Sequence, residues 1–298
     1  MKKFLIVLIS IFTAIGLFSF VFVVFNKAFF NSSFIIDTDL ASKFGSFFGG
    51  YVGTIFSMLS VLIITYTIVS QNIQNRKNDA RNHFFKMLDF HNQTVNEINI
   101  SHIDIEKNYR SEGRRAFVIF KIQIKRLLEL IEKLNEDEKW KLNKLQRLDI
   151  AYIVFYYGLD TTWTPFIEDK LKIYPNNKAI ITKILEKIKE NSKLKLGRTN
   201  QTSLSAYFRN MYNAIKLVDD NKFLNTNEKK DLIKIYRAQL SNPELYVLFF
   251  NLMSRFGKKW KEKKYVINYS FIKNIPKGYC DGYEPNDYFE MTYEDDEQ

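Results

Sequence analysis

Arg76 and His83 are the two residues of this chain whose types and spacing come nearest to a catalytic pair. Seven positions apart on a helix, they would share one face. There an imidazole, which titrates near neutral pH, could take part in general acid–base chemistry. Arg76 also has a simpler reading, since a basic residue just past an apolar stretch is ordinarily a topology anchor. His83, His91 and His102 are the only histidines and Cys280 the only cysteine, too few for a metal centre or a disulfide framework. No phosphate-binding loop, Rossmann glycine pattern, Gly-x-Ser-x-Gly elbow or His-Glu-x-x-His occurs. The reading therefore leans to a protein that works without catalysis, metal or cofactor.

A second set of polar residues sits inside strongly apolar segments. Arg209 is flanked by aromatics in Tyr207-Phe208-Arg209-Asn210-Met211-Tyr212, and Arg237 and Gln239 run into the segment bearing Glu244 and Asn251. Polar groups buried there are costly unless they satisfy one another. The expectation is a hydrogen-bonded cluster of Arg209, Arg237, Gln239, Glu244 and Asn251 that fixes helix register or forms a polar pocket.

The elements that must position these residues are helices. Leu204, Phe208, Met211, Ile215 and Val218 recur at spacings of four and three, with Arg209, Asn213 and Lys216 on a separate polar face. Asn135 followed by Glu138 reads as a capping box starting a helix through Trp140, Leu142, Leu145, Leu148 and Tyr152. Ser241-Asn242-Pro243-Glu244 combines a Ser cap, a first-turn Pro and a Glu at the third position, and Gly257 reads as the stop of that helix. The one hairpin dipeptide, Asp281-Gly282, lacks alternating apolar flanks. The fold class expected is all-α.

Mean hydropathy of −0.23 conceals an uneven chain. Residues 4–25 carry no charge, and 22 residues at about 1.5 Å each span a hydrocarbon core of roughly 30 Å. That run is too long for a signal-peptide core and no A-x-A-like site follows it, so it reads as an uncleaved anchor. A second uncharged stretch lies between Lys43 and Arg76, with a span at about residues 45–70. Within it Gly45, Gly49 and Gly53 recur every four residues, the spacing at which helix backbones approach closely in lipid. Such a face could seat the first span, whose Ser10 and Ala14 are similarly spaced, or mediate homo-oligomerisation. Lys2, Lys3, Arg76, Lys77 and Arg81 flank the spans, which points to a multi-pass protein of the bacterial inner membrane with both termini cytoplasmic.

The expected organisation is thus a membrane anchor over residues 1–75 with a short external loop, a basic helical cytoplasmic domain over 76–277, and an acidic, disordered tail over 278–298. The helix leaving the second span should continue from Ser70 toward Glu97. Residues 71–277 hold 40 basic and 23 acidic residues, a net +17, and the last 21 residues hold eight acids and no base. That balance suits anionic lipid headgroups or nucleic acid, although a Lys-rich composition alone yields a diffuse excess.

Two resemblances follow. The spacing of Arg76 and His83 resembles the loosest form of the R-x(4-6)-H motif of the helical HEPN ribonucleases, with Lys77 standing where they carry a polar Asn, Asp or His. More of the chain, most of residues 44–272, resembles the phage abortive infection proteins of bacteria. That resemblance is carried by Phe44-Gly45-Ser46-Phe47-Phe48-Gly49-Gly50-Tyr51-Val52-Gly53-Thr54 and by Arg237-Ala238-Gln239-Leu240-Ser241 with Glu244-Leu245. Shorter matches are Phe84-Phe85 with Leu88 and His91-Asn92, Gly113-Arg114 with Ala116-Phe117, and Tyr207-Phe208-Arg209. Arg115 departs from the Asp or Glu expected after Gly113-Arg114. The resemblance implies an anti-phage component that disables the infected cell; the expectation added here is that the basic domain senses a phage-derived trigger or partner protein. It brings no active site to carry over. A membrane-tethered ribonuclease using Arg76 and His83, and a membrane scaffold or receptor without toxic output, are the competing readings.

Overall fold

The computed structural model describes residues 2–25, 38–104, 107–159, 163–190 and 196–297. Its backbone divides into two compact units, Met1–Asp79 and Ala80–Gln298.

In the first unit, α1 (Lys2–Phe25) and α2 (Thr38–Phe47) are followed by a π-helical turn (Phe48–Val52) and by the start of α3 (Gly53–Glu97). Lys2 lies over the Tyr66 ring, Gly16 faces Ile55 and Phe20 meets Phe48 edge-on. One set of positions rises as the other falls, so α1 and the first part of α3 run antiparallel. Gly16 is the close-approach glycine of this hairpin: a Cβ there would stand 3.4 Å from the Ile55 methyl. The stripe Gly45, Gly49, Gly53 plays no such part, since a Cβ at Gly45 or Gly49 would meet nothing within 4 Å. Gly49 and Gly50 fall inside the π-helical turn, where the wider winding interrupts the α-helical face on which a four-residue spacing was counted. Of the external loop expected over about residues 26–42, residues 26–37 lie outside the described residues, and from Thr38 the chain is helical rather than loop, as the first turns of α2.

Helix α3 runs unbroken through Ser70 to Glu97, as the lack of Gly and Pro after Gly53 allows. In the second unit it is followed by a two-stranded antiparallel hairpin, β1 (Asn99–Asp104) and β2 (Lys107–Glu112). Among the described residues this hairpin is the exception to an otherwise all-α fold, and the sequence between its strands holds no Asn-Gly or Asp-Gly to signal a turn. Helices α4 (Arg114–Asp137), α5 (Lys144–Tyr157), α6 (Thr164–Lys170), α7 (Asn177–Glu190), α8 (Gln201–Asp219), α9 (Thr226–Arg237) and α10 (Asn242–Met253) come next, then α11 (Lys258–Glu262) and α12 (Tyr265–Asn268).

Helix α10 forms the centre. Every residue from Glu244 to Met253 is buried, as is every residue of α5 from Leu148 to Tyr156. Helices apolar all round are stable only inside such a core. Around them, amphipathic helices turn one face inward: Ala80, Phe84, Leu88, His91 and Val95 on α3, and Leu204, Met211, Ile215 and Val218 on α8, the seam read from the sequence.

The caps explain where helices begin. In α10 the Glu244 carboxylate accepts from both the amide (2.9 Å) and the hydroxyl (2.6 Å) of Ser241, as the motif predicts. The box expected at Asn135 and Glu138 is corrected by the structure. Asn135 lies in the last turns of α4, where its Oδ1 accepts from the Leu142 amide, and the operative box is Asn143 with Gln146, which starts α5. A second correction concerns residues 278–298. The acidic count overlooked the aromatics among the acids, and Cys280, Tyr283, Phe289 and Tyr293 bury themselves against the core. Asp281 accepts from the Tyr246 hydroxyl at 2.9 Å and pairs with Lys125, while Lys121 sits 3.2 Å over the Tyr279 ring. The segment is a packed part of the second unit.

Two glycines are dictated by close approach. Gly158, at φ +80°, ends α5 where a Cβ would stand 2.6 Å from the Thr199 amide. Gly257 is not the helix stop expected of it: α10 already ends at an extended Ser254. Gly257 instead makes the tight corner into α11, where a Cβ would lie 2.0 Å from the Leu252 carbonyl oxygen. Gly257→Ala is therefore expected to destabilise the fold by about 3 kcal/mol or more, as overpacking against immovable backbone does. Gly45→Ala, with open space around it, should leave stability unchanged; urea unfolding followed by circular dichroism distinguishes the two.

Candidate functional site

Two places in the second unit gather polar chemistry. The first is sealed. At the N-terminus of α10, Glu244 faces His91 of α3, with Nε2 and Oε1 4.0 Å apart and both side chains only 1% exposed. Arg114, at the first position of α4 and half-exposed, brings its Nε to 3.7 Å from the other Glu244 oxygen. The rings of Tyr207 and Tyr236 pack 4.7 and 5.0 Å from the His91 imidazole. Among the described residues, His91 Nδ1 and the Tyr236 hydroxyl are buried without a hydrogen-bond partner, while the Tyr207 hydroxyl faces the Glu244 carboxyl.

Burial governs the electrostatics of this node. It pushes the His91 pKa down to about 4, with help from the Arg114 charge, so the imidazole is neutral at physiological pH. It pushes the Glu244 carboxyl up, against the pull of the Ser241 hydrogen bonds and Arg114. The imidazole nitrogen and the carboxylate oxygen, 4.0 Å apart, lie beyond hydrogen-bond reach, and both side chains are closed off from solvent, so the pair offers a substrate nothing to touch. The node joins α3, α4, α8, α9 and α10, and its chemistry acts on the fold.

The second place is an open cleft of about 410 Å³. Helix α8 supplies one wall with Ser205, Phe208, Arg209, Tyr212 and Asn213, spaced as one face of a helix. Tyr156 from the end of α5 and Asn251 from α10 also line it. The corner at Gly257 brings in Phe256, Lys259 and Trp260. Asn251, 4% exposed, donates its amide nitrogen to the Tyr152 hydroxyl at 2.9 Å, and its amide oxygen has no donor among the described residues. Arg209 is steadied by its own helix, Nε donating to the Ser205 carbonyl (3.1 Å) and Nη2 to the Ser205 hydroxyl (3.2 Å).

The five-residue cluster expected from the sequence is not assembled. Arg209 and Asn251 share the cleft, whereas Glu244 belongs to the sealed node. Arg237 donates to the Ser270 carbonyl at 2.8 Å, and Gln239 accepts from Asn92 at 3.0 Å. Sequence distance misled here: helical periodicity tells which face a residue occupies, but not which helix that face meets. Arg76 and His83 are both exposed on α3. The residues missed are His91, Arg114, Tyr207 and Tyr236 at the node, and Lys259 and Trp260 in the cleft. Tyr207 carried a signal in its aromatic flank to Arg209; His91 carried one in its place on the apolar stripe of α3. Among the described residues no group of three or more His, Cys, Asp or Glu is placed to hold a metal ion.

Residues 199–279, which run from the start of α8 into the C-terminal segment and hold most of the cleft, match the family model described as "Putative phage abortive infection protein". The resemblance read from the sequence is supported there, and with it a part in phage defence. No curated protein and no solved structure matches the chain.

The buried histidine gives the fold a pH dependence with a definite sign. Between about pH 6.5 and 4 the unfolded chain protonates His91 while the folded chain does not, so acidification favours unfolding, by up to roughly 3 kcal/mol. Glu244, with its pKa raised, takes its proton earlier in the folded state and works the other way. Thermal unfolding across this range should show wild type losing stability relative to His91→Asn as pH falls, and parallel curves would refute the assignment.

Proposed function

We propose that this chain is a membrane-anchored anti-phage defence protein of the bacterial inner membrane, whose basic helical domain senses a phage-derived trigger or partner while its two spans act on the bilayer. The observation that carries the defence role is the family match over residues 199–279.

Membrane anchorage is supported by the surface of the first unit. The apolar stretches of α1 and of the helix running from Thr38 are long enough to cross a bilayer, and only 17% and 6% of them are buried. Core helices of water-soluble proteins hide such faces; here Phe4, Phe18, Val61, Ile64 and Ile68 all point outward with more than half their surface exposed. Lys2 and Lys3 before the first span and Arg76, Lys77 and Arg81 after the second favour cytoplasmic termini. Self-association in the bilayer is favoured by Gly45 and Gly49, which stay uncovered within one copy and would let a second backbone come close. On this reading a change in assembly state compromises the membrane of the infected cell. The action is physical, in keeping with the absence of a recognisable nucleophile and base.

The test follows membrane potential during phage infection in cells expressing the full chain, with Gly49→Leu beside it. Depolarisation by wild type, and loss of both depolarisation and protection in a Gly49→Leu protein of smaller oligomer size, is the expected result. Protection that persists with polarisation intact would reject membrane action. Protection lost in His83→Ala, with RNA cleavage lost alongside, would favour the ribonuclease reading.

A further inference from the structure

The cleft between α8, α10 and α11 has a composition that defines a ligand. Arg209 and Lys259 line it and neither has a carboxylate partner among the described residues, although nearby lysines do: Lys216 pairs with Asp220 and Lys258 with Glu262. None of the lining residues is acidic. Two uncompensated cations at the rim of a partly enclosed space draw an anion, and the guanidinium, held by Ser205 through Nε and Nη2, keeps its Nη1 donors for it.

Five of the other lining residues are aromatic; Tyr212 and Phe256 are half-buried, and Tyr156, Phe208 and Trp260 are buried beneath them. Tyr156 is stacked on Tyr152 at 18° and Trp260 is almost wholly covered, so the aromatic surface open to the cleft is that of Tyr212 and Phe256. A planar heterocycle finds stacking surface there. Asn251 adds a single acceptor, the amide oxygen left without a donor in an otherwise buried side chain. An amine on the edge of such a ring would supply the missing hydrogen bond. Inorganic phosphate would use the cations and leave the aromatic walls idle, while an uncharged aromatic would leave the cations idle. The volume, about 410 Å³, is that of a small-molecule site.

We propose that this cleft binds a free nucleotide, its base against Tyr212, Phe256 and Asn251, its phosphate on Arg209 and Lys259. The proposal does not depend on membrane action, and its test reads binding alone.

Detergent-solubilised full-length protein is titrated calorimetrically with adenosine, guanosine, cytidine and uridine monophosphates, with inorganic phosphate, with the four nucleosides, and with a single-stranded RNA oligomer. At least one monophosphate should bind saturably, more tightly than its nucleoside or phosphate alone. Arg209→Gln and Lys259→Gln should each weaken it by about tenfold, the effect of losing one charge-assisted hydrogen bond. Both side chains are exposed, so thermal unfolding of the variants should match wild type and show that they fold. Four results would overturn the proposal: no saturable binding up to roughly millimolar ligand; equal affinity for nucleoside and nucleotide; unchanged affinity in the double variant; or displacement of the nucleotide by an RNA oligomer that binds far more tightly, which would assign the cleft to a macromolecule.

Discussion

A single carboxylate, that of Glu244, has to meet three demands at the centre of the second unit. It terminates the N-terminal amide and hydroxyl of its own helix cap at Ser241, it stands opposite the Arg114 guanidinium, and it faces a neutral His91. A buried charge costs several kcal/mol unless hydrogen bonds and an opposite charge surround it. Helix α10 can therefore be sunk in the core only where α3 and α4 bring those side chains to its first turn. The requirement fixes three helices at one point, and the aromatic rings of Tyr207 and Tyr236 add α8 and α9 to it.

The other end of α10 is pinned just as firmly. Arg255, immediately beyond the helix, donates its backbone amide to one oxygen of Asp149 and its guanidinium to the other, at 2.9 and 2.6 Å, and the Tyr174 hydroxyl donates to Asp149 as well. Gly257 then allows the chain to turn against the Leu252 carbonyl. With both ends held, Phe256 before the corner and Trp260 after it are set in place on the side of the cleft across from α8, with Lys259 exposed between them. A cleft assembled this way is preformed, and a ligand would not have to pay for ordering it.

What the sequence disclosed was local. The cap at Ser241 and Glu244, the seam of α8 and the unbroken helix through Ser70 follow from spacing and from missing Gly and Pro, which any short window contains. What it concealed was non-local. The Asn135 box was a plausible pattern displaced by a better one at Asn143 and Gln146, because α4 had enough apolar spacing, through Leu134, to continue past it. The acidic ending was read by charge, although Tyr283, Phe289 and Tyr293 find buried places that no local count could offer them. His91 looked like a packing residue and does pack, but its partner Glu244 lies far along the chain, and only the fold shows that burial holds it neutral beside a carboxylate.

Helix α3 illustrates the same point from the opposite side. Before Val69 many of its large apolar side chains, among them Phe56, Met58, Val61, Ile64 and Ile68, are exposed, whereas from Ala80 onward Phe84, Leu88, His91 and Val95 turn one stripe inward and leave Lys86, Asp89 and Phe90 exposed. The change occurs across Gln71 to Arg81, a polar stretch containing four basic or acidic positions, Arg76, Lys77, Asp79 and Arg81. One backbone ladder thus obeys two rules: the first part suits a solvent that tolerates hydrocarbon on every side, and the second suits water on one side and a protein core on the other. On the proposed membrane reading, Arg76, Lys77 and Arg81 stand where such a change of surroundings would fall, which would give Arg76 the part of a topology anchor independent of whether His83 lies seven residues beyond it.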